Sequence, residues 1–310
     1  MRHNRRQFTL AGLAATLAGP AFAEPRGALI IASGEGEGPP AGTRAAYELA
    51  IAAGADFIAA DLVCSRDGGL LARPDHELST STDIARRPEF ADRRRAPGAD
   101  GGERSGWFSE DFTLAELKTL IPAGAGGRPS KGAAPPAILT VQDLIDIARA
   151  GSVRTARVVG VYLGLPRAAW LAGQDPAPRL AALIQTNGYN SPAAAMFVAG
   201  DDADALKALA RLSRVRRVRR VVGAMLVPAD LAAIHAYAQA VGVSGGDAVN
   251  PAFVGSAHAA GLAVHVVAPG VVESRRLEPL FAAGVDGVLA GQARAAVRAR
   301  RDAMRRAGGR

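Results

Sequence analysis

The chain predicts an α/β fold, a (β/α)8 TIM barrel with an insertion after the second strand, and three observations carry that expectation. Eight short, largely apolar runs recur along the sequence, the composition of strands covered by helices. Helix-like runs alternate with them, the pattern of a parallel α/β domain. No Gly-x-Gly-x-x-Gly marks a first strand–helix turn, as an open dinucleotide-binding sheet would have. Gly34-Glu35-Gly36-Glu37-Gly38 has the wrong spacing and two carboxylates where a phosphate would sit.

Taken in order, the first strand is Ala28–Ser33, followed by a helix over Thr43–Ala53 and a second strand over Phe57–Ser65. A small hairpin then pairs Val63–Ser65 with Leu70–Ala72 around Arg66-Asp67-Gly68-Gly69. Residues 79–136 are long, rich in Gly, Pro and Arg, and hold one short helix, Leu114–Leu120; they read as an insertion. Glycines in Ala123-Gly124-Ala125-Gly126-Gly127 predict a mobile link from there to Pro136. Beyond it the helix Val141–Ala150 leads to strand Arg157–Gly164, and helix Pro178–Asn187 to strand Ala194–Ala199. Helix Ala203–Ser213 precedes strand Val218–Val227, and helix Pro228–Ala238 precedes strand Ala240–Ser244. Helix Pro251–Ala260, strand Leu262–Ala268, helix Ser274–Ala283, strand Gly287–Ala290 and helix Ala293–Ala307 complete the set.

A net charge of +8 invites a nucleic-acid reading, but Arg2, Arg5 and Arg6 lie in the N-terminal segment. Much of the rest falls in Arg214–Arg220 and Arg294–Arg310. Neither run interleaves aromatics as a stacking surface would, so solvated helix faces are expected and nucleic acid is not. Residues 1–23 read as a targeting segment: Asn4-Arg5-Arg6-Gln7-Phe8, a weakly apolar run Thr9–Ala18, then the cleavage-like Ala21-Phe22-Ala23. Export to the periplasm by a twin-arginine route is the expectation; a general secretory signal that carries two arginines is the alternative. The apolar run is too short to span a bilayer, so no transmembrane segment is expected. Cys64 is the only cysteine and lies in an apolar strand with no histidine nearby in sequence, which favours packing over chemistry.

Several stretches resemble the glycerophosphodiester phosphodiesterase family, most closely its large bacterial periplasmic subgroup. They are Thr43-Arg44-Ala45-Ala46-Tyr47-Glu48-Leu49-Ala50, Gly54-Ala55-Asp56-Phe57-Ile58, Arg66-Asp67-Gly68-Gly69-Leu70-Leu71 and Gly106-Trp107-Phe108-Ser109-Glu110-Asp111. The resemblance implies a TIM barrel, a divalent cation (Ca2+ or Mg2+) held by carboxylates, and two histidines as an acid/base pair. At the matching positions most of this is absent. The His-Arg pair of strand one is Ala32 and Ser33, the Glu of the following turn is Ala41, and the post-hairpin histidine is Pro74. The Glu-x-Asp of strand two reads Ala59-Ala60-Asp61, and the Glu and Lys of the next strand are Gly164 and Pro166. The last strand's aromatic-Thr-Asp segment reads Leu289-Ala290-Gly291. Asp61 alone survives as a metal-ligand candidate, with Arg73 or a backbone amide as its expected partner. No cofactor is expected, other than Ca2+ or Mg2+ if a cation site survives.

Two functions follow. In the first the chain has lost hydrolysis and is a periplasmic barrel that binds a small-molecule or protein ligand. In the second it still releases sn-glycerol 3-phosphate and an alcohol through a rebuilt site, with His76 as surrogate histidine and Asp61, Asp75, Glu35 and Glu37 as a new cation cluster. His265, within an apolar strand, is expected to be a hydrogen-bonded core residue, and His258 a structural residue at the opposite end of the barrel.

Overall fold

Eight parallel strands close on themselves in the computed structural model, which describes residues 27–35, 38–95, 105–123, 137–166, 171, 173–222, 226–244, 249–268 and 274–308. The expected targeting segment, Glu37, and the glycine-rich link from Gly124 to Pro136 lie outside the described residues. The ring begins with β1 (Leu29–Ala32), β2 (Phe57–Cys64), β4 (Gly160–Gly164) and β5 (Met196–Gly200). It continues through β6 (Arg216–Val222), β7 (Ala240–Ser244), β8 (Ala263–Ala268) and β9 (Gly287–Ala290), and β9 pairs back onto β1. The short β3 (Leu70–Ala72) is the antiparallel arm of the expected hairpin, with Val63 opposite Leu71.

Helices α1 (Arg44–Ala52), α3 (Val141–Thr155), α4 (Ala177–Thr186), α5 (Ala203–Leu212), α6 (Pro228–His235), α7 (Pro251–Ala259), α8 (Ser274–Ala282) and α9 (Ala293–Gly308) surround the ring. Their starts follow capping chemistry. Thr43 accepts from the Ala46 amide at the head of α1, and Thr140 with Asp143 forms a reciprocal capping box on α3. Apolar faces of these helices meet the outward residues of the strands, as where Ile145 and Ile147 pack with Ile58, Val161 and Leu163. Inside the ring Leu29, Ile31, Phe57, Tyr162, Phe197 and Val218 form a second core. Among the described residues no helix is long and apolar enough to cross a membrane.

The insertion holds more structure than a single helix. Besides α2 (Leu114–Leu117) it has 3-10 turns at Ile84–Arg86, Pro88–Arg93 and Ser109–Asp111. Leu78, Ile84, Phe90, Trp107, Phe112 and Leu117 pack there on Val63 and Leu71 of the hairpin. Its side chains bury one another because the hairpin offers an apolar face, which the Gly- and Arg-rich composition masks.

Strand β6 corrects the sequence reading most. Expected at Val218–Val227, it begins at Arg216, so four arginines of the Arg214–Arg220 run lie on a barrel strand and not on a solvated helix face. Alternation along the strand separates them. Arg216 and Arg220 share the interior side with Val218, and the Arg216 guanidinium lies 3.9 Å from the Phe197 ring centroid. Arg217 faces outward and is buried, donating to the carbonyls of Tyr237 (2.7 Å), Val215 (2.7 Å) and Ser213 (3.1 Å). Three carbonyl acceptors are what let a guanidinium sit where an aliphatic side chain is expected.

Candidate functional site

A cavity of about 400 Å³ opens at the C-terminal ends of the strands, the end at which TIM barrels place their sites. Every barrel strand or its following loop contributes to it: Ser33, Ala59 and Asp61, Tyr162 and Gly164, then Asp201. Arg220, Ser244, Val267 and Leu289 complete the circle. Arg73 and Pro74 after the hairpin, with Ile138 and Leu139 at the end of the insertion, form a side wall.

The charged centre of this cavity is a guanidinium held between two carboxylates. Nη1 of Arg220 donates to Oδ1 of Asp61 at 2.6 Å, and its Nε donates to Oδ1 of Asp201 at 2.7 Å. Burial opposes the charge of Arg220, yet the two carboxylates hold its pKa above the ordinary arginine value. Asp61 therefore finds its partner across the barrel on β6. The expected partner, Arg73, is engaged elsewhere: its Nη2 donates to Ser81 Oγ at 2.5 Å and its Nε to the Asp75 carbonyl at 3.3 Å. Burial lowers the Arg73 pKa to about 10.

Gly164 makes the arrangement possible. A Cβ built there would overlap Oδ1 of Asp61 and approach Nη1 of Arg220 at 2.9 Å. The space that a longer side chain would take on β4 is filled by the Asp61 carboxylate. These residues do not fit a divalent cation. Ca2+ and Mg2+ take about six or more oxygen ligands, whereas one oxygen of Asp61 and one of Asp201 are committed to a guanidinium and Gly164 offers no donor. Among the described residues no three His, Cys, Asp or Glu side chains gather as a metal cluster.

Other sequence candidates scatter. Ala32, at the position expected for a histidine, is fully buried against Ala50, Ala55 and Ala293 beneath the helices; its neighbour Ser33 lines the cavity. Ala41, Ala59, Pro74 and Leu289 do line it. His76 points into the insertion, with Nδ1 3.3 Å from both carboxylate oxygens of Glu110 and its ring 4.9 Å from that of Phe108. Asp75 turns away to accept from the Glu77 amide at 3.1 Å. Of the acids offered for a new cluster, Glu35 and Asp61 reach the cavity and Asp75 does not. Pro breaks the extended chain at 74, and the turn after it sends the following side chains toward the insertion core.

Two tyrosines escaped the sequence reading. Tyr47 and Tyr162 are each 2% exposed, and both line the cavity. Burial, with Asp61 and Glu35 adding, raises the Tyr47 pKa; burial raises that of Tyr162, Arg220 opposing and Asp61 adding. Tyr47 lay on an amphipathic helix pattern, where an aromatic reads as packing. Arg220 was hidden in a basic run.

His265 is a core residue, as expected, but Nδ1 has no hydrogen-bond partner among the described residues. Its ring lies 5.0 Å from Phe197 and 5.8 Å from Tyr162. Burial lowers its pKa from 6.5 to about 4, so the ring is neutral at neutral pH. His258 sits at the other end of the barrel, Nε2 2.7 Å from Asp286, which also accepts from the Val264 amide. Cys64 is buried, and burial raises its thiol pKa to about 11, far from thiolate chemistry.

Comparison with known proteins adds ancestry to this geometry. Residues 34–291 match the profile of the glycerophosphoryl diester phosphodiesterase family. An Arabidopsis thaliana glycerophosphodiester phosphodiesterase is 42% identical over 129 residues, which are 40% of this chain and 32% of the plant protein. The Treponema pallidum glycerophosphodiester phosphodiesterase is 28% identical over 183 residues, 54% of this chain and 49% of that protein. The matched stretches thus span about a third and about half of those relatives. Among solved structures, an Oleispira antarctica phosphodiesterase in complex with the product sn-glycerol-3-phosphate superposes with a TM-score of 0.65 at 18% identity, covering 88% of this chain and 96% of that one. The Agrobacterium tumefaciens enzyme gives 0.63 at 20% identity, covering 86% and 97%. At such identities the likeness establishes the barrel alone.

Proposed function

This chain belongs to the glycerophosphoryl diester phosphodiesterase family, and from that premise we propose that it is a member that has given up hydrolysis and uses its barrel mouth to bind a ligand. Cleaving a phosphodiester takes a cation or equivalent charge on the phosphate, together with an acid and a base for attack and departure. The observation that carries the reading is the Asp61–Arg220–Asp201 bridge. It neutralises the one retained carboxylate internally, where a hydrolase would keep that carboxylate for an ion.

Among the described residues no histidine reaches the mouth to serve as acid or base, and Glu35 is the one lining carboxylate outside the bridge. His76, the surrogate from the sequence, pairs with Glu110 inside the insertion and does not line the cavity. The tyrosines there are held in their neutral form by burial, and Arg220 is held charged. Loss of a whole acid/base constellation forfeits several orders of magnitude in rate. Asn4–Ala23 supports a place of work in the periplasm, reached by a twin-arginine route.

Incubation of the purified chain with glycerophosphocholine and millimolar Ca2+ or Mg2+, followed by assay of glycerol 3-phosphate, tests this. No release above the uncatalysed background is expected. Turnover that vanishes in both Asp61→Ala and His76→Ala overturns the proposal in favour of a rebuilt hydrolase. A bound ion raises stability by mass action, so the melting temperature should not move with millimolar Ca2+. A saturable rise that Asp61→Ala removes would restore a cation site.

A further inference from the structure

With the phosphate chemistry gone, the polarity of the mouth points the other way, and we propose that this cavity binds an organic cation: a small amphipathic molecule with a primary ammonium group on an apolar body. The inference rests on the reading that the hydrolytic site has been lost, and it names the class of ligand that replaced the substrate.

Charge comes first. Among the described lining residues three carboxylates, Glu35, Asp61 and Asp201, face two guanidiniums, Arg73 and Arg220. Arg220 is shared between Asp61 and Asp201, and Arg73 is tied to Ser81 and the Asp75 carbonyl. Glu35 has no ion-pair partner among the described residues. The excess among these residues is negative. A phosphate or carboxylate is repelled; an ammonium is attracted.

Hydrogen-bonding capacity agrees independently. Tyr47 and Tyr162 are nine-tenths and more buried, line the cavity, and their hydroxyls have no hydrogen-bond partner among the described residues. With no partner inside the described chain, the two phenol oxygens face the cavity and can accept from whatever enters it. Oδ2 of Asp61 and Oδ2 of Asp201 are unused by Arg220 and add acceptors to the same cavity. The site is rich in acceptors, and a primary ammonium brings three donors and no acceptor.

Shape sets the remainder of the ligand. Leu62, Ile138, Leu139, Leu165, Val267 and Leu289 form apolar wall. A volume of about 400 Å³ suits a small molecule, within the range of about 300–1,000 Å³ usual for such sites. Apolar wall with a few converging acceptors selects an amine that carries a hydrocarbon or aromatic body, not a bare inorganic ion.

Calorimetric titration of the whole purified chain with 2-phenylethylamine, 2-phenylethanol and 2-phenylethyl phosphate tests the proposal, since the three share a body and differ in charge. Saturable binding is expected for the amine, weaker binding for the alcohol, and none for the phosphate. Glu35→Gln should weaken the amine about tenfold with the melting temperature unchanged, and Tyr162→Phe should weaken it by a few fold. Preference for the phosphate, binding insensitive to both substitutions, or no binding of the amine at millimolar concentration each overturns it. The glycerophosphocholine assay reads the parent proposal separately: turnover with amine binding intact sinks only the loss of hydrolysis, and absence of both sinks only the cation site.

Discussion

Arg220 stands to Asp61 where a metal ion stands in a working carboxylate site: its Nη1 lies 2.6 Å from Oδ1 and supplies the positive charge at the barrel mouth. Asp61 and Asp201 have side chains 42% and 49% exposed and Arg220 one 18% exposed, so the pair is worth less than a fully buried one. Arg220→Ala should cost about 1–3 kcal/mol in urea unfolding. The double variant Asp61→Ala/Arg220→Ala should be less destabilised than the sum of the singles. Additivity to within about 0.5 kcal/mol would mean that the bridge contributes nothing. His265 gives a pH prediction whose sign follows from its lowered pKa. The unfolded chain binds the proton near pH 6.5 and the folded one only near 4, so stability is complete above about 6.5 and falls as pH drops toward about 4. The loss is of order 2–4 kcal/mol. Urea melts from pH 8 to pH 4.5 should show this slope, and His265→Leu should flatten it. At this scale the sequence disclosed which acids are absent, since small residues stand at Ala59 and Gly164. It hid the bridge that holds Asp61, because an ion pair 159 positions apart leaves no local pattern.

At the scale of elements, strand β4 shows how glycine shapes the barrel interior. A Cβ at Gly160 would overlap the Phe57 ring, itself fully buried and 5.3 Å from Phe197. Gly160→Ala should therefore destabilise by about 1–3 kcal/mol through overpacking, seen as a lower melting temperature with secondary structure retained. Unchanged stability would mean that the ring has room to shift. Most elements were legible because their apolar runs match strands sealed by helices: β7 and β9 fall at the expected residues, and α5 within one. β6 was not, because four arginines violate the apolar rule for a parallel strand. Its pattern becomes readable only through period two, with Arg216, Val218 and Arg220 on one side. The short turns of the insertion were missed for a related reason. Their order comes from a shared core around Phe90, Trp107 and Phe112, not from any run long enough to register.

Across the whole molecule, the insertion and barrel are joined through the hairpin, whose Val63 and Leu71 belong to the insertion core while Cys64 and Leu70 belong to the outer barrel core. They should unfold together. In a Trp170→Phe background, Trp107 fluorescence and far-UV circular dichroism should give coincident denaturation curves; two separate midpoints would show an independent unit. The interlock at the mouth bears on something else, which substitutions the barrel can accept one at a time. A glutamate placed at 164 has no room while the Asp61 carboxylate lies over that position, and Asp61 stays there while Arg220 holds it. Removing Arg220 first leaves two carboxylates facing each other with no countercharge. Either single step is uphill from the present state, whichever comes first. A longer side chain at 164 is therefore accommodated only by changing β4 and β6 together, which makes the two strands a single unit of substitution.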